Sequence, residues 1–221
     1  MKTAVITGVS RGLGQSLANI FLENGYKVLG TSTTGKADIR HKNLKVFKLN
    51  LNNETSIKKC TRMILKDSKK IDVLINNAAV LLDLNELVLN VDKLRKTIEV
   101  NLLGTTSFTE KLLQKISKKG CILNISSNSG SIANVSHSRS PAYKISKAGL
   151  NMYTRSLAMR LGKDITVVSI NPGWMNTDMG KELTTDAPTY QPEESAEWIY
   201  KLVENHPVSG QFYKKDGINE W

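Results

Sequence analysis

Tyr143 and Lys147 have a spacing that could support acid–base chemistry. Of the six tyrosines, only Tyr143 is followed by a lysine four residues later, and on a helix this spacing places both side chains on one face, one turn apart. A phenol with its ordinary pKa of about 10 is a poor acid–base catalyst at neutral pH, but a neighbouring ammonium favours the phenolate and lowers that pKa. The pair therefore predicts a proton-transfer site, although an amphipathic helix with a half-buried tyrosine would show the same pattern.

A glycine-rich turn near the N-terminus could cradle phosphates. Residues 7–14 read TGVSRGLG. Between a strand and a helix, Gly8 permits the tight turn, Gly12 lets the backbone approach a pyrophosphate, and Gly14 allows the helix to pack close to the strand. The N-terminal amides and the dipole of the following helix would face the phosphates. Because no Gly-Lys-Ser/Thr follows, the turn is not a P-loop, and it predicts a dinucleotide site.

The residues after the second apolar run bear on cofactor choice. An enzyme that prefers NAD usually has an acidic residue there to hold the ribose 2′-hydroxyl. This chain has Thr31, Ser32 and Thr33 instead, and the first acidic residue is Asp38. Hydroxyls can donate to a 2′-phosphate and Arg11 can pair with it. Lys36 could assist, so the pattern favours NADP(H) over NAD(H).

The hydrophobic pattern predicts an α/β scaffold for these residues. Short apolar runs typical of buried strands lie at Ala4–Thr7, Lys27–Thr31, Lys45–Leu49, Val73–Asn76, Cys121–Ser126 and Ile165–Ile170. Helical patterns cover Gly14–Asn24, Ser56–Lys66, Val91–Ser117, Pro141–Leu161 and Glu193–Glu204, and Gln211–Tyr213 could form a last short strand. This alternation predicts one domain over residues 1–221, a Rossmann-type doubly wound parallel sheet with helices on both faces. Ligands bind beyond the carboxyl ends of such strands.

Composition narrows the classes of function. Hydrophobic residues make up 40% of the 221 residues and charged residues 23%, which is typical of a soluble protein. No apolar run reaches the roughly 18–20 residues of a membrane span, and the apolar run at the N-terminus is too short for a secretory signal. We therefore expect a cytoplasmic protein without a membrane partner. The net charge is +11. The lysines are scattered and no aromatic residues interleave with them, so we expect a solvated basic surface and no nucleic-acid partner.

The cysteines and histidines give no sign of a metal site. Cys60 and Cys121 form no CxxC pair, and neither belongs to a cluster with His41, His137 or His206. We therefore expect two reduced thiols and no bound metal.

Four further motifs follow in a fixed order. They are Asn76-Asn77-Ala78-Ala79, Asn101 within Glu99-Val100-Asn101-Leu102, Ile125-Ser126-Ser127, and the stretch Pro172–Thr177 (PGWMNT). Together with residues 7–14 and the Tyr143–Lys147 pair, they resemble the short-chain dehydrogenase/reductase family. The resemblance runs from Thr3 to about Thr177, and its combination of motifs is highly specific.

The resemblance implies a catalytic set of Asn101, Ser127, Tyr143 and Lys147. Tyr143 would protonate the carbonyl oxygen while hydride arrives from the nicotinamide, and Ser127 would hydrogen-bond that oxygen. Lys147 would hold the nicotinamide ribose and lower the pKa of Tyr143. Asn101 would position a water through its backbone. Ser129 is a second candidate for the serine, because the stretch between Ser127 and Tyr143 is longer than in many members.

The resemblance also implies which residues contact the cofactor: Gly8, Ser10, Arg11, Gly12, Leu13, Gly14, Thr31, Ser32, Thr33, Asn50, Leu51, Asn77, Ala78, Ala79, Tyr143, Lys147, Pro172, Gly173 and Thr177. Asn50 stands where the family usually has Asp, which puts its contact with the adenine in doubt. Ala79 replaces a usual Gly. Apolar walls for a substrate would come from Trp174, Met175, Met179 and Leu183.

Within the family, the compact C-terminus most resembles the small C-factor-like carbonyl reductases. We therefore expect an NADP(H)-dependent enzyme that interconverts a small carbonyl compound and its alcohol. A 3-oxoacyl-acyl-carrier-protein reductase is an alternative that the basic charge would suit, and a non-catalytic NADP(H)-binding sensor or scaffold is another. The resemblance further implies a homodimer or homotetramer, formed through the two long predicted helices, Val91–Ser117 and Pro141–Leu161.

Overall fold

The computed structural model describes residues 1–177 and 190–221, whose strands form one sheet. The strands are β1 (Thr3–Thr7), β2 (Lys27–Ser32), β3 (Leu44–Lys48), β4 (Ile71–Asn76), β5 (Ile116–Ile125), β6 (Ile165–Ile170), β7 (Phe212–Lys214) and β8 (Gly217–Ile218). Their order is β3-β2-β1-β4-β5-β6-β7-β8, and all neighbours are parallel except β7 and β8. The predicted doubly wound Rossmann-type fold is confirmed.

Helices cover both faces of this sheet. They are α1 (Gly12–Glu23), α2 (Glu54–Asp67), α3 (Val91–Ile98), α4 (Thr105–Leu112), α5 (Pro141–Leu161) and α6 (Pro192–Glu204). Successive residues of a strand face opposite sides of a sheet, and in β1 Ile6 packs with Phe21 of α1 on one face. Its neighbour Val5 packs with Phe108 of α4 and Leu157 of α5 on the other. Each face therefore has its own buried core.

The strand order reverses between β1 and β4. Strands β2 and β3 lie on one side of β1 in the sheet, and β4, β5 and β6 lie on its other side. The carboxyl ends of β1 and β4 thus lie side by side at the topological switch point, where sheets of this type bind ligands.

The long helix predicted over Val91–Ser117 differs in the structure. The helical segment is interrupted by π-helix at Glu99–Gly104, and a 3₁₀ turn at Leu113–Lys115 ends it. Strand β5 then begins at Ile116, five residues before the predicted Cys121, because Ile116 pairs with Ile71 of β4 and is almost fully buried. The buried pairing partner overrides the local helical pattern.

Two other boundaries differ from the sequence-based predictions. The last predicted strand is shifted by one residue to Phe212–Lys214, and the antiparallel β8 was not predicted.

Cys60 and Cys121 are free buried thiols, and burial raises the pKa of both to about 12. Among residues 1–177 and 190–221, no helix has the length and apolar character needed to cross a membrane.

Candidate active site

The glycine-rich turn joins β1 to α1 in the way its sequence predicts. Gly8 and Gly12 have φ angles of +76° and +55°, a backbone region that favours glycine. A Cβ on Gly14 would lie 2.0 Å from the carbonyl oxygen of Gly8, so only glycine lets α1 approach the turn this closely. Arg11, at the N-cap of α1, adds no side-chain cap to the first helical amides. These amides suit an anionic group, and the turn fits the pyrophosphate of a dinucleotide.

Asn77 joins the carboxyl ends of β4 and β1. Its Nδ2 donates to the carbonyl oxygen of Thr7 at 2.8 Å, and its backbone N–H donates to Thr7 Oγ1 at 2.9 Å. The backbone N–H of Ala78 donates to the same hydroxyl at 3.0 Å. A Cβ on Gly8 would lie 3.2 Å from Ala78 Cα, so Ala78 borders the turn directly. Ala79 follows, and like Ala78 it is half-buried.

The end of β2 lies beside the same turn. The carbonyl oxygen of Thr31 accepts hydrogen bonds from the backbone N–H groups of Gly8 and Val9, both at 2.9 Å. Ser32 Oγ donates to the carbonyl oxygen of Lys36 at 2.7 Å and accepts from the Lys36 N–H. The Ser32 hydroxyl thus closes a turn at the strand end, and its expected role as a phosphate donor stays a prediction. The side chain of Thr33 is exposed, and the turn brings Lys36 back towards the strand end.

Asn50 folds into the start of α2. Its Oδ1 accepts from the backbone N–H of Asn52 at 3.0 Å, and its own N–H donates to Ser56 Oγ at 2.9 Å. The neighbouring Leu51 is buried, and a Cβ on Gly104 would lie 2.1 Å from the Leu51 carbonyl oxygen. This close approach connects the loop after β3 to the π-helical segment.

The π-helical segment positions Asn101. Its side chain pairs with the backbone of Val80: Oδ1 accepts from the N–H and Nδ2 donates to the carbonyl oxygen, both at 2.8 Å. Asn101 Nδ2 also reaches Ser146 Oγ on α5 at 3.1 Å. Asn101 thus fixes the loop after β4 against α5. A π-helical turn breaks the regular helical hydrogen bonding, which fits the role that the resemblance assigns to the backbone of Asn101.

The structure brings Ser127, Tyr143 and Lys147 together at the carboxyl end of β5. The Tyr143 hydroxyl lies near the Ser127 side chain, which lowers the pKa of the phenol. Ser129 instead donates its backbone N–H to Ser127 Oγ at 3.1 Å, so Ser129 supports the turn. Lys147 is 2% exposed, and its Nζ donates to the carbonyl oxygen of Ile125 at 2.8 Å. That Nζ lies 5.5 Å from the centroid of the Tyr143 ring.

Burial dominates the protonation of the Tyr143–Lys147 pair. It lowers the pKa of Lys147 to about 7, because a charged amine is disfavoured away from water. It also raises the pKa of Tyr143 to about 12, and the Ser127 side chain offsets this only in part. Burial is the largest effect on this phenol, and the lowering of its pKa by Lys147 stays a prediction. At neutral pH the Tyr143 hydroxyl keeps its proton.

The loop after β6 is held in place from several sides. The Pro172 carbonyl oxygen accepts from Ser195 Oγ of α6 at 2.9 Å. Gly173 has a φ of +84°, and a Cβ there would lie 2.5 Å from the Tyr190 ring. Thr177 lies against Gly12, whose added Cβ would be 3.3 Å from Thr177 Cγ2, so this loop meets the glycine-rich turn. Met179 and Leu183 fall outside the described residues, whereas Trp174 and Met175 are half-buried.

Two residues near the site were missed by the sequence analysis. Tyr190 covers Gly173, but nothing in its local sequence signals this contact. Asp83 is fully buried in the loop after β4, and its Oδ2 accepts from the Ala142 N–H in the first turn of α5 at 2.6 Å. An acidic residue that caps a helix from a distant loop has no local sequence signature.

Comparisons with known proteins agree with this fold. A family profile described as short chain dehydrogenase matches residues 2–188. The chain therefore belongs to the short-chain dehydrogenase/reductase family, and it is an oxidoreductase that acts on CH–OH and C=O groups with a nicotinamide cofactor.

Individual relatives fall into more than one group. A 3-oxoacyl-acyl-carrier-protein reductase of Vibrio cholerae is 31% identical over 196 residues, which span 85% of this chain and 79% of the relative. An uncharacterized oxidoreductase of Thermotoga maritima is 33% identical over 192 residues, 82% and 74% of the two chains. The structure of an NADPH-bound carbonyl reductase from chicken fatty liver matches with a TM-score of 0.89 and 25% identity, covering 100% of this chain and 99% of that one.

Proposed function

We propose that this protein is an NADP(H)-dependent reductase of a small carbonyl compound, with Tyr143 as the proton donor. The observation that carries the proposal is the grouping of the Ser127 and Tyr143 side chains with the buried Lys147 amine at the carboxyl end of β5. This group lies beside the switch point that the glycine-rich turn occupies. A bound nicotinamide cofactor supplies or accepts the hydride.

The protonation of Tyr143 favours the reducing direction. A carbonyl oxygen that gains negative charge during hydride addition becomes strongly basic and needs a proton donor. The phenol is protonated at neutral pH, since the pKa of Tyr143 lies well above 7, and Ser127 is placed to hydrogen-bond the same oxygen. Lys147, at a pKa of about 7, exchanges protons readily at neutral pH and is suited to restore the Tyr143 proton.

The preference for NADP(H) rests on the end of β2. This strand end carries the exposed Thr33 and no acidic side chain, so nothing there would repel a 2′-phosphate. Basic groups nearby are Arg11, at the N-cap of α1, and Lys36, which the Ser32 hydroxyl holds near the strand end. We assign the cofactor contacts to the positions inferred from the sequence, and Ser32 also shapes this turn.

A second candidate function is reduction of a 3-oxoacyl group on an acyl carrier protein. It is favoured by the net charge of +11 and by the Vibrio cholerae relative, a 3-oxoacyl-acyl-carrier-protein reductase. An acidic carrier would be attracted to a basic enzyme, and that attraction weakens as salt screens it.

We also propose a homodimer or homotetramer. Ile145, Met152 and Met159 are spaced seven residues apart on α5, which places them on one face of the helix, and all three are exposed. A mass near that of a single 24.5 kDa chain in light scattering would contradict this assignment.

The test of the proposed function starts with binding. Calorimetry should show NADPH binding about tenfold or more tighter than NADH, because the 2′-phosphate adds a charge-assisted contact. NADPH oxidation is then followed with 4-nitrobenzaldehyde and with acetoacetyl-coenzyme A at low and high salt. Turnover of the aldehyde supports the carbonyl reductase, whereas turnover of the thioester alone supports the second candidate. Tighter NADH binding would refute the cofactor assignment, and turnover of neither substrate would refute the proposed reaction.

A further inference from the structure

A chain of buried polar side chains crosses the sheet beneath the candidate active site. Its members are hydrogen-bonded to one another and each is at most 4% exposed: Asn76, Thr109, Asn124, Thr154, Ser169 and Asn151. Buried polar groups stabilise a unique arrangement only when their hydrogen bonds are made, because an unmade bond leaves a desolvated group behind. This chain of hydrogen-bonded side chains runs from β4 through β5 and β6 to helix α5.

Asn151 forms the end of this chain nearest the site. It lies on α5 one turn after Lys147. Its Oδ1 accepts from Ser169 Oγ of β6 at 2.9 Å, and its Nδ2 donates to the carbonyl oxygen of Gly130 at 3.0 Å. The amide therefore ties α5 to the central sheet on one side and to the loop after β5 on the other.

Gly130 closes the turn that presents Ser127. Its N–H donates to the Ser127 carbonyl oxygen at 2.9 Å, and Ser129 N–H donates to Ser127 Oγ at 3.1 Å. Gly130 also packs directly on α5, where an added Cβ would lie 2.8 Å from Lys147 Cβ. The turn that holds the serine is thus attached to the helix that holds the tyrosine and the lysine, and Asn151 supplies the hydrogen bond of that attachment.

We propose that Asn151 is a positioning residue for the reaction: it holds the Ser127–Gly130 turn on helix α5 and so keeps the Ser127 hydroxyl against Tyr143. The inference rests on the proposed function, in which these two hydroxyls contact the carbonyl oxygen. Since misplacement of a reacting group by about 1 Å can lower a rate roughly a hundredfold, a single buried amide at this place is able to control turnover without touching substrate.

The experiment is a double-mutant cycle between Asn151→Leu and Ser127→Ala, using whichever of the two carbonyl substrates is reduced faster. Asn151→Leu keeps the branched shape of the side chain but removes the donor to Gly130, and Asn151→Asp serves if the leucine variant does not fold. We expect kcat to fall about tenfold to a hundredfold while the Kd for NADPH changes by less than about twofold. In the Ser127→Ala background the same substitution should change kcat by less than about twofold.

Tyr153→Phe is the matched control. It also removes a hydrogen bond of α5, which Tyr153 Oη donates to Glu110 of α4 at 2.9 Å. It should leave kcat within about twofold of wild type. Amide hydrogen exchange provides a readout that needs no substrate: Ser129 and Gly130 should exchange about tenfold faster in Asn151→Leu and at the wild-type rate in Tyr153→Phe.

The outcomes separate this inference from the function on which it rests. If Ser127→Ala keeps wild-type kcat, the proposed role of Ser127 is wrong. If Ser127→Ala loses activity but Asn151→Leu keeps both its kcat and the slow exchange of Ser129 and Gly130, the positioning role alone is overturned. An equal loss of kcat from Asn151→Leu in both backgrounds would also overturn it, because Asn151 would then act independently of the serine.

Discussion

Replacing Lys147 with methionine should make the protein more stable near neutral pH and should remove part of its pH dependence. Lys147 is 2% exposed, and burial lowers its pKa from the ordinary 10.5 to about 7. The unfolded chain therefore binds more protons at this position between these two pH values. Stability must then rise with pH across this window, because the native state no longer has to bury a charge. Below pH 7 the cost of the buried lysine is fully present.

The size of the effect follows from the pKa difference. At about 1.4 kcal/mol per unit, the lysine costs the native state roughly 4 kcal/mol at pH 7 and roughly 2 kcal/mol at pH 9. Methionine has no charge to bury, but it leaves the Ile125 carbonyl oxygen without the donor at 2.8 Å, which costs about 1–3 kcal/mol at every pH. The stability gained by Lys147→Met should therefore shrink by about 2 kcal/mol between pH 7 and pH 9.

Urea unfolding of both proteins at the two pH values measures this change. Other groups that titrate in the same range contribute equally to both proteins and cancel in the difference. Lys118→Met, at an exposed position of β5, should show a difference from wild type that is the same at both pH values. If the Lys147→Met difference is also constant between pH 7 and pH 9, burial does not depress the pKa of Lys147 and the reasoning is refuted.

Two further substitutions test the chemistry and the cofactor site. Tyr143→Phe removes the proton donor and should lower kcat by about a hundredfold or more while the Kd for NADPH stays within about twofold, as kinetics and calorimetry would show; retained turnover would remove Tyr143 as the acid. Thr33→Asp places a carboxylate at the end of β2 and should weaken NADPH binding about tenfold with little change for NADH. Asn19→Asp, with the same charge change on the exposed side of α1, should leave both affinities unaltered; equal losses in the two variants would show that β2 does not contact the 2′-phosphate.

Features that depend on residues close together in the sequence could be predicted from the sequence. Except for the start of β5 and for β8, the strands and most helices were predicted to within a few residues, because buried parallel strands and amphipathic helices have different hydrophobic periods. The glycine-rich turn was predicted because the left-handed backbone at Gly8 and Gly12 and the close contact of Gly14 all favour glycine. The four-residue spacing of Tyr143 and Lys147 likewise guaranteed a shared helical face once α5 formed.

The sequence did not reveal features that a partner elsewhere in the chain decides. Ile116 leaves the helical pattern because it pairs with Ile71 of β4. The hydroxyl of Ser32 closes a turn with Lys36, which its residue type alone does not reveal.

Local residue types and spacings alone specify the family motifs, the order of elements and the residues available for chemistry. How those residues behave depends on contacts that form only on folding. The pKa of Tyr143, for example, is raised to about 12 because burial removes the phenol from water, which the spacing of Tyr143 and Lys147 does not reveal. The hydrogen bond from Asn151 to Gly130 and the one from Ala142 of α5 to Asp83 likewise exist only after folding, because the residues that they join are 21 and 59 positions apart.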